Sequence, residues 1–284
     1  MIYPLFYPRF HCLAASCSHT CCSGWEICVD AASERKYRSL PGALGEELRK
    51  NLIVNAEGAE FRLTPDGDCP FLTAQGLCRL IEAGGEALLC DICAAHPRFY
   101  GDVNGREYCG LGLSCEAAVR LLLSPGPLRF ADGQAGRVFS FDSLCAFVGL
   151  RLTPAETGFS PETDENRLRE WFGRLRGCEP IDDRWQPSVD CAVAALPDHL
   201  RTAPVYLRAN RSALNKIYQY ILYRRLEDAR TYTATVCARF SRFSASYILL
   251  EAIRTGDLNE SVRRWSEEIE YSDENVKRLL SALC

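Results

Sequence analysis

The crowding of cysteines into the first 115 residues is the feature that most constrains what this chain can fold into. The sequence has 284 residues and 16 cysteines. Eleven of these precede residue 116, at Cys12, Cys17, Cys21, Cys22, Cys28, Cys69, Cys78, Cys90, Cys93, Cys109 and Cys115. The other five are spread singly. So dense a set of thiols exceeds what core packing needs, and it predicts a metal centre.

Composition and terminal sequence narrow the class of protein. The apolar runs are too short for a transmembrane helix, and Met1–Phe10 lacks the basic segment of a signal peptide. We therefore expect a cytoplasmic protein with no membrane partner, in which thiols stay reduced and favour metal over disulfides. A disulfide framework and a core that merely buries thiols remain alternatives. The net charge of −4 excludes the basic footprint of a nucleic-acid-binding protein.

The spacing of the cysteines predicts a site assembled from separate segments. Cys90 and Cys93 are separated by two residues, which lets the chain turn around one centre. The run from Cys12 to Cys22 is too short to close a site alone. We therefore expect its partners to come from the segment between Cys69 and Cys93. Ligation by thiolates alone suits zinc or an iron–sulfur cluster.

The expected fold class is α+β and mostly helical, in two parts. Residues 1–124 are predicted to form a cysteine-rich metal module with short β-hairpins. Residues 125–284 are predicted to form a helical domain on the substrate side, because residues 204–230 and 232–254 carry long helical periodicity. The proline- and glycine-containing segment 124–127 is the predicted boundary.

Two local signals give sharper structural predictions. Asn104-Gly105, flanked by strand-like sequences, predicts a hairpin with a type I′ turn. Asp30 precedes a helical pattern and is a predicted N-cap.

The cysteines of the N-terminal part lie in a set of short motifs: Phe10-His11-Cys12, Cys17, Cys21-Cys22-Ser23-Gly24-Trp25, Cys69-Pro70-Phe71-Leu72, Gly76-Leu77-Cys78, Leu89-Cys90, Cys93, Pro97-Arg98 and Leu113-Ser114-Cys115. These motifs resemble the flagellin lysine N-methylase family, part of a broader cysteine-rich group described as zinc- or iron-chelating. Residues 215–224 and 265–275 also resemble helical segments of that family.

The resemblance implies an S-adenosylmethionine-dependent protein-lysine N-methyltransferase that carries a 4Fe-4S cluster. Its implied partner is flagellin, whose lysine side chains accept the methyl group. The competing interpretation is a non-enzymatic zinc- or iron-chelating module for binding or redox chemistry.

The candidate metal ligands are Cys12, Cys17, Cys21, Cys22, Cys69, Cys78, Cys90, Cys93 and Cys115. For the implied cluster we favour Cys17, one of Cys21 and Cys22, Cys78, and Cys93. The remaining candidates are reserves or ligands of a second centre.

The methyl-donor site is not marked by a glycine-rich loop of the usual methyltransferase kind. Tyr218, Tyr220 and Tyr223 are candidate walls of that site, although core packing is the competing interpretation. Arg98 could pair with the donor carboxylate or instead stabilise the hairpin. Methyl transfer requires a neutral lysine amine, but the sequence identifies no catalytic residue.

Overall fold

A computed structural model describes residues 1–56 and 58–284. The strands are β1 Ile2–Pro4, β2 Cys28–Val29, β3 Leu52–Val54, β4 Ala59–Phe61, β5 Arg98–Val103, β6 Arg106–Leu111, β7 Phe130–Asp132 and β8 Arg137–Phe139. The α-helices are α1 Ala31–Ser39, α2 Gly42–Asn51, α3 Arg79–Gly84, α4 Asp91–Ala95, α5 Glu116–Leu123, α6 Phe141–Phe147, α7 Pro154–Thr157, α8 Glu165–Arg176, α9 Trp185–Arg224, α10 Ala229–Tyr232, α11 Ala234–Thr255, α12 Leu258–Trp265 and α13 Asp273–Ser281. Short 3-10 turns cover Tyr7–Arg9, Ala14–Ser16 and Glu86–Leu88, and a π-helical turn covers Ser266–Glu270.

The chain divides into two compact units. Residues 12–97 form the cysteine unit, and residues 1–11 together with 98–284 form the helical unit. Helices dominate and the sheets are small, so the predicted α+β, mostly helical class is confirmed. Among the described helices, none combines the length and the apolar character needed to cross a membrane.

The cysteine unit is built on a three-stranded antiparallel sheet in the order β2-β4-β3. Its core contains Tyr37, Phe61 and Phe71. The Tyr37 and Phe61 rings stack with centroids 5.7 Å apart, and Phe61 meets Phe71 edge-on at 5.0 Å. The Tyr37 hydroxyl donates a hydrogen bond to the Leu88 carbonyl over 2.7 Å. These contacts give the cysteines of this unit a packed apolar support.

The helical unit contains a five-stranded sheet in the order β5-β6-β1-β7-β8. Strand β1 pairs in parallel with β6 and antiparallel with β7. The predicted hairpin is confirmed, because β5 and β6 pair around Asn104 and Gly105, which have φ of 52° and 75°. Positive φ at both central positions defines the type I′ turn, which Asn-Gly adopts readily.

Residues 98–124, which sequence reasoning grouped with the cysteines, make their contacts in the helical unit. The cause is long-range pairing: β6 lies beside β1, and α5 packs against α12 and α9. The division into domains 1–124 and 125–284 stays a prediction.

Helices α9 and α11 each supply more residues to the core of the helical unit than any other element does. Most of the helical stretch predicted over residues 204–230 lies in α9, which begins at Trp185 and ends at Arg224. This helix contains Pro197 and Pro204, and it is broken locally at Asn210, where φ is −115° and ψ is 16°. Proline and a local backbone break are common causes of helix bending.

Candidate metal centre

Five cysteine thiols come together in the cysteine unit. Cys69 and Cys90 belong to its buried core, with 7% and 1% of their surface exposed. Cys22, Cys78 and Cys93 are partly buried and pack against the same core. They come from four chain segments, so only the folded unit can bring them together.

Backbone pairing positions the first three thiols. Ser23 pairs with Asp68 in an isolated antiparallel bridge. The amide of Cys69 donates to the carbonyl of Cys22 over 2.7 Å, which fixes these two cysteines beside each other. A second bridge joins Leu72 to Cys78. The segment from Cys69 to Cys78 is therefore hairpin-like, with a cysteine at each end.

Helix α4 positions the remaining two thiols. Cys90 is its N-cap residue and Cys93 lies within it. The Asp30 Oδ2 atom accepts a hydrogen bond from the amide of Asp91, at the start of this helix, over 2.9 Å. The Oδ1 atom of Asp30 caps α1 by accepting from Ala32 and Ser33. The predicted N-cap role of Asp30 is confirmed, and the same carboxylate also supports the thiol group.

The acidity of Asp30 follows from these contacts. The hydrogen bond from the amide of Asp91, followed by that from Ser33, lowers the pKa of Asp30 to about 2. A carboxylate that accepts several amide hydrogen bonds stays ionised at neutral pH. The cap therefore carries a full negative charge at the N-terminal ends of both helices, where the helix dipole favours it.

The thiols influence one another electrostatically. Burial is the main cause that raises the pKa of Cys69 to about 12; a hydrogen bond with the Phe71 backbone opposes the shift, and negative charge on Cys22, Cys78 or Cys90 contributes to it. Burial also raises the pKa of Cys78, with added contributions from Cys22 and Cys90. Deprotonation of one thiol thus makes deprotonation of the next less favourable. A cation would reverse this balance, because it stabilises the thiolates together.

Hydrogen bonds between thiols add a second effect. A hydrogen bond with Cys93 lowers the pKa of Cys90 to about 7, while the same contact raises the pKa of Cys93. A hydrogen bond with Cys21 lowers the pKa of Cys22 to about 7. Cys90 and Cys22 are therefore the members of the group that lose their protons most readily.

The chemistry of this donor set suits a metal, although the side chains are not arranged around one. Within residues 1–56 and 58–284, no group of three or more histidine, cysteine, aspartate or glutamate side chains has a geometry that could hold a metal ion. The donor set itself is all sulfur and largely buried, as zinc and iron–sulfur sites require. Binding would need local rearrangement of the thiols, and the metal module stays a prediction.

The other predicted ligands lie in different surroundings. The Sγ atom of Cys12 accepts from the amide of Ala14 over 3.4 Å, and the Sγ atom of Cys17 donates to the carbonyl of His19 over 2.6 Å. The carbonyl of Cys21 accepts from the Trp25 indole over 2.8 Å. Cys115 is the N-cap residue of α5 in the helical unit.

Sequence reasoning ranked the thiols differently. It favoured Cys17 and held Cys69 and Cys90 as reserves, yet these two are the most buried thiols of the five-member group. The apolar residues next to Cys69 and Cys90 in the sequence, Pro70-Phe71-Leu72 and Ala87-Leu88-Leu89, indicate that these two thiols are buried. Which four cysteines would ligate a cluster stays a prediction.

The candidate donor-binding residues lie in the helical unit. Tyr218 and Tyr223 are fully buried. The Tyr218 hydroxyl donates to the Glu156 carbonyl, and that of Tyr223 donates to the Cys109 carbonyl over 2.8 Å. The Arg98 guanidinium lies 5.3 Å from the centre of the Phe10 ring. These contacts give each residue a structural role, and methyl-donor binding stays a prediction for all three.

Comparison with known proteins gives distant relatives. The chain is 28% identical over 136 residues to the flagellar biosynthetic protein FliU of Salmonella muenchen, covering 45% of this chain and 80% of that protein. It is 27% and 26% identical, again over 136 residues and 45% of this chain, to the lysine-N-methylases of Salmonella typhimurium and Salmonella choleraesuis. It covers 34% of each lysine-N-methylase, so it spans about a third of their length. No family model and no solved structure matches.

These relatives support the flagellin lysine methylase resemblance at a distant level. Two of them carry the name lysine-N-methylase and the third a flagellar name.

Proposed function

We propose that this protein is an S-adenosylmethionine-dependent protein-lysine N-methyltransferase that acts on flagellin. The observation that carries the proposal is the similarity to two lysine-N-methylases and to FliU. The converging thiols of the cysteine unit add support, because they fit the metal chemistry that the family resemblance implies.

Four of Cys22, Cys69, Cys78, Cys90 and Cys93 would hold a 4Fe-4S cluster in this proposal. A bound cluster would supply a redox-active or structural centre held by thiolates. The protein would supply the rest: the β-bridges fix Cys22, Cys69 and Cys78, and the Asp30 carboxylate fixes the helix that carries Cys90 and Cys93.

The reaction itself requires a neutral lysine nitrogen. That nitrogen attacks the methyl carbon of the donor, the carbon–sulfur bond breaks, and S-adenosylhomocysteine leaves. The lysine proton must first pass to a base or to water.

Methyl transfer to purified flagellin by anaerobically purified protein tests the proposal. Mass spectrometry should detect methylated lysines only when S-adenosylmethionine is present. Cys90→Ser should lose both iron and methyl transfer, whereas Cys28→Ser, at an exposed cysteine of the same unit, should keep both. A protein that binds zinc, remains colourless and transfers no methyl group would contradict the proposal and favour the non-enzymatic module.

A further inference from the structure

Lys216 is a buried cation without a carboxylate partner among the described residues. Only 6% of its surface is exposed. Its Nζ donates to the Ser124 carbonyl over 2.6 Å. Burial is the cause that lowers its pKa, and no charged group contributes. Buried lysines are rare unless they are paired, so this arrangement calls for an explanation.

The Lys216 side chain lines a cavity of about 240 Å³ in the helical unit. The segment before and within the first 3-10 turn forms one wall, and the segment after α5 forms another. The amide of Leu5 donates to the carbonyl of Arg129 over 2.9 Å and thereby joins the two walls. This hydrogen bond extends the pairing of β1 with β7, so the cavity is built on a sheet rather than on a free loop.

The charge around the cavity is entirely positive. Arg9 and Arg129 line it together with Lys216, and no aspartate or glutamate does. Within the described residues, neither arginine forms an ion pair with a carboxylate. The lining also contains the buried apolar side chains of Phe6, Leu122 and Leu128, together with the exposed Leu5 and the exposed segment 125–127.

A bound anion would complete this arrangement. A lysine ammonium has three donors, and the Ser124 carbonyl uses one. An uncompensated buried charge is costly, whereas a charge-assisted hydrogen bond to an anion is short and strong. The two arginines at the exposed edge can attract an anion and offer their planar donors to its oxygens.

We propose that this cavity is a binding site for a small anion that carries a carboxylate or phosphate group, held by Lys216, Arg9 and Arg129. Its volume equals that of about eight water molecules, which limits the buried part of the ligand to a compact group. The inference does not depend on methyltransferase activity or on a metal in the cysteine unit.

Calorimetric titration of the whole protein with inorganic phosphate, and separately with acetate, tests the site at constant ionic strength maintained with chloride. Saturable binding of either anion is expected, and the anion that binds more tightly identifies the headgroup. Lys216→Met should weaken that binding by at least about tenfold, since a charge-assisted hydrogen bond is worth about 1.5–3 kcal/mol. Arg129→Gln should weaken it by about threefold or more.

Arg211→Gln is the matched control, because Arg211 is exposed on the same helix as Lys216 but does not line the cavity. It should bind like the wild type. The proposal is overturned if neither anion binds, or if Lys216→Met and Arg129→Gln both bind as tightly as the control. Should Lys216→Met fail to fold, the comparison of Arg129→Gln with Arg211→Gln decides the question.

Discussion

The carboxylate of Asp30 joins two helices, because one oxygen caps α1 and the other accepts a hydrogen bond from the amide of Asp91, 61 residues further along the chain. Asp91 immediately follows Cys90. The arrangement of the five cysteines therefore depends in part on Asp30, which is not itself a proposed metal ligand.

Replacing Asp30 should separate these two contacts. Asparagine can still cap α1 with its single oxygen, but its amide cannot accept from Asp91. We expect Asp30→Asn to lower the free energy of unfolding by about 0.5–1.5 kcal/mol, and Asp30→Ala by about 1–3 kcal/mol. Urea denaturation measures both. An Asp30→Asn variant as stable as the wild type would show that the link to Asp91 contributes nothing, and equal losses in the two variants would show that the α1 cap contributes nothing.

A series of single serine substitutions should identify the metal ligands. We expect serine at Cys90 and at three of Cys22, Cys69, Cys78 and Cys93 to lower the iron or zinc content of the purified protein, while serine at the fifth position leaves it near the wild-type value. Elemental analysis by mass spectrometry gives the metal content per chain. Full metal content in all five variants would place the ligands elsewhere, and Cys28→Ser controls for the effect of changing any thiol.

The buried carboxyl group of Glu268 should make stability depend on pH. Burial raises its pKa to about 7, despite Arg264 at 2.7 Å and a hydrogen bond from the amide of Ile181. Asp182 and Glu267, which also face it, make smaller contributions to the same upward shift of the pKa. The folded state thus holds its proton more tightly than the unfolded state, whose glutamate pKa is about 4.3. The stability that protonated Glu268 contributes to the folded state is fully present below about pH 4 and is lost as the pH rises through about 7.

Thermodynamic stability measured from pH 4 to pH 8 checks this effect. Relative to Glu268→Gln, the wild type should lose roughly 1–3 kcal/mol across that range. Glu274→Gln, at an exposed glutamate, should follow the wild-type profile. Parallel profiles for the wild type and Glu268→Gln would contradict the assignment.

Tyr220 should be a strong structural residue. Its hydroxyl accepts from the Leu111 amide over 2.7 Å and donates to the Leu111 carbonyl over 2.9 Å. Tyr220→Phe leaves both buried groups unpaired, so we expect a loss of about 1–3 kcal/mol in the free energy of unfolding. Tyr100→Phe removes a hydroxyl from a side chain that is 60% exposed and should cost little. If Tyr220→Phe lowered the free energy of unfolding as little as Tyr100→Phe does, the structural role of Tyr220 would be contradicted.

Thr233 should be a site where glycine stabilises the protein. Its φ of 70° and ψ of 152° lie in a region that glycine adopts far more readily than threonine. Thr233→Gly should raise the free energy of unfolding by about 0.5–2 kcal/mol, net of the weak cap lost at Val236. Thr235→Gly, within the first turn of α11, should instead lower it by roughly 1 kcal/mol or less. A loss of stability in both variants would contradict the strain at Thr233.

The features that sequence reasoning predicted correctly are local ones. The Asn104-Gly105 turn follows from two residues that tolerate positive φ, and the Asp30 cap follows from the pattern of the next turn. The assignment of residues 98–124 to the helical unit depends on the pairing of Ile2 with Tyr108, more than a hundred residues apart. No local pattern encodes that pairing, and the burial of Cys69 and Cys90 likewise depends on side chains from distant segments.

The parallel pairing of β1 with β6 has a consequence for synthesis on the ribosome. Parallel neighbours require a long crossover, and here that connection contains the entire cysteine unit. Every thiol of the five-member group is therefore translated before β1 acquires either of its partner strands. The cysteine unit can therefore fold on a nascent chain whose other sheet is still open, before the helical unit closes.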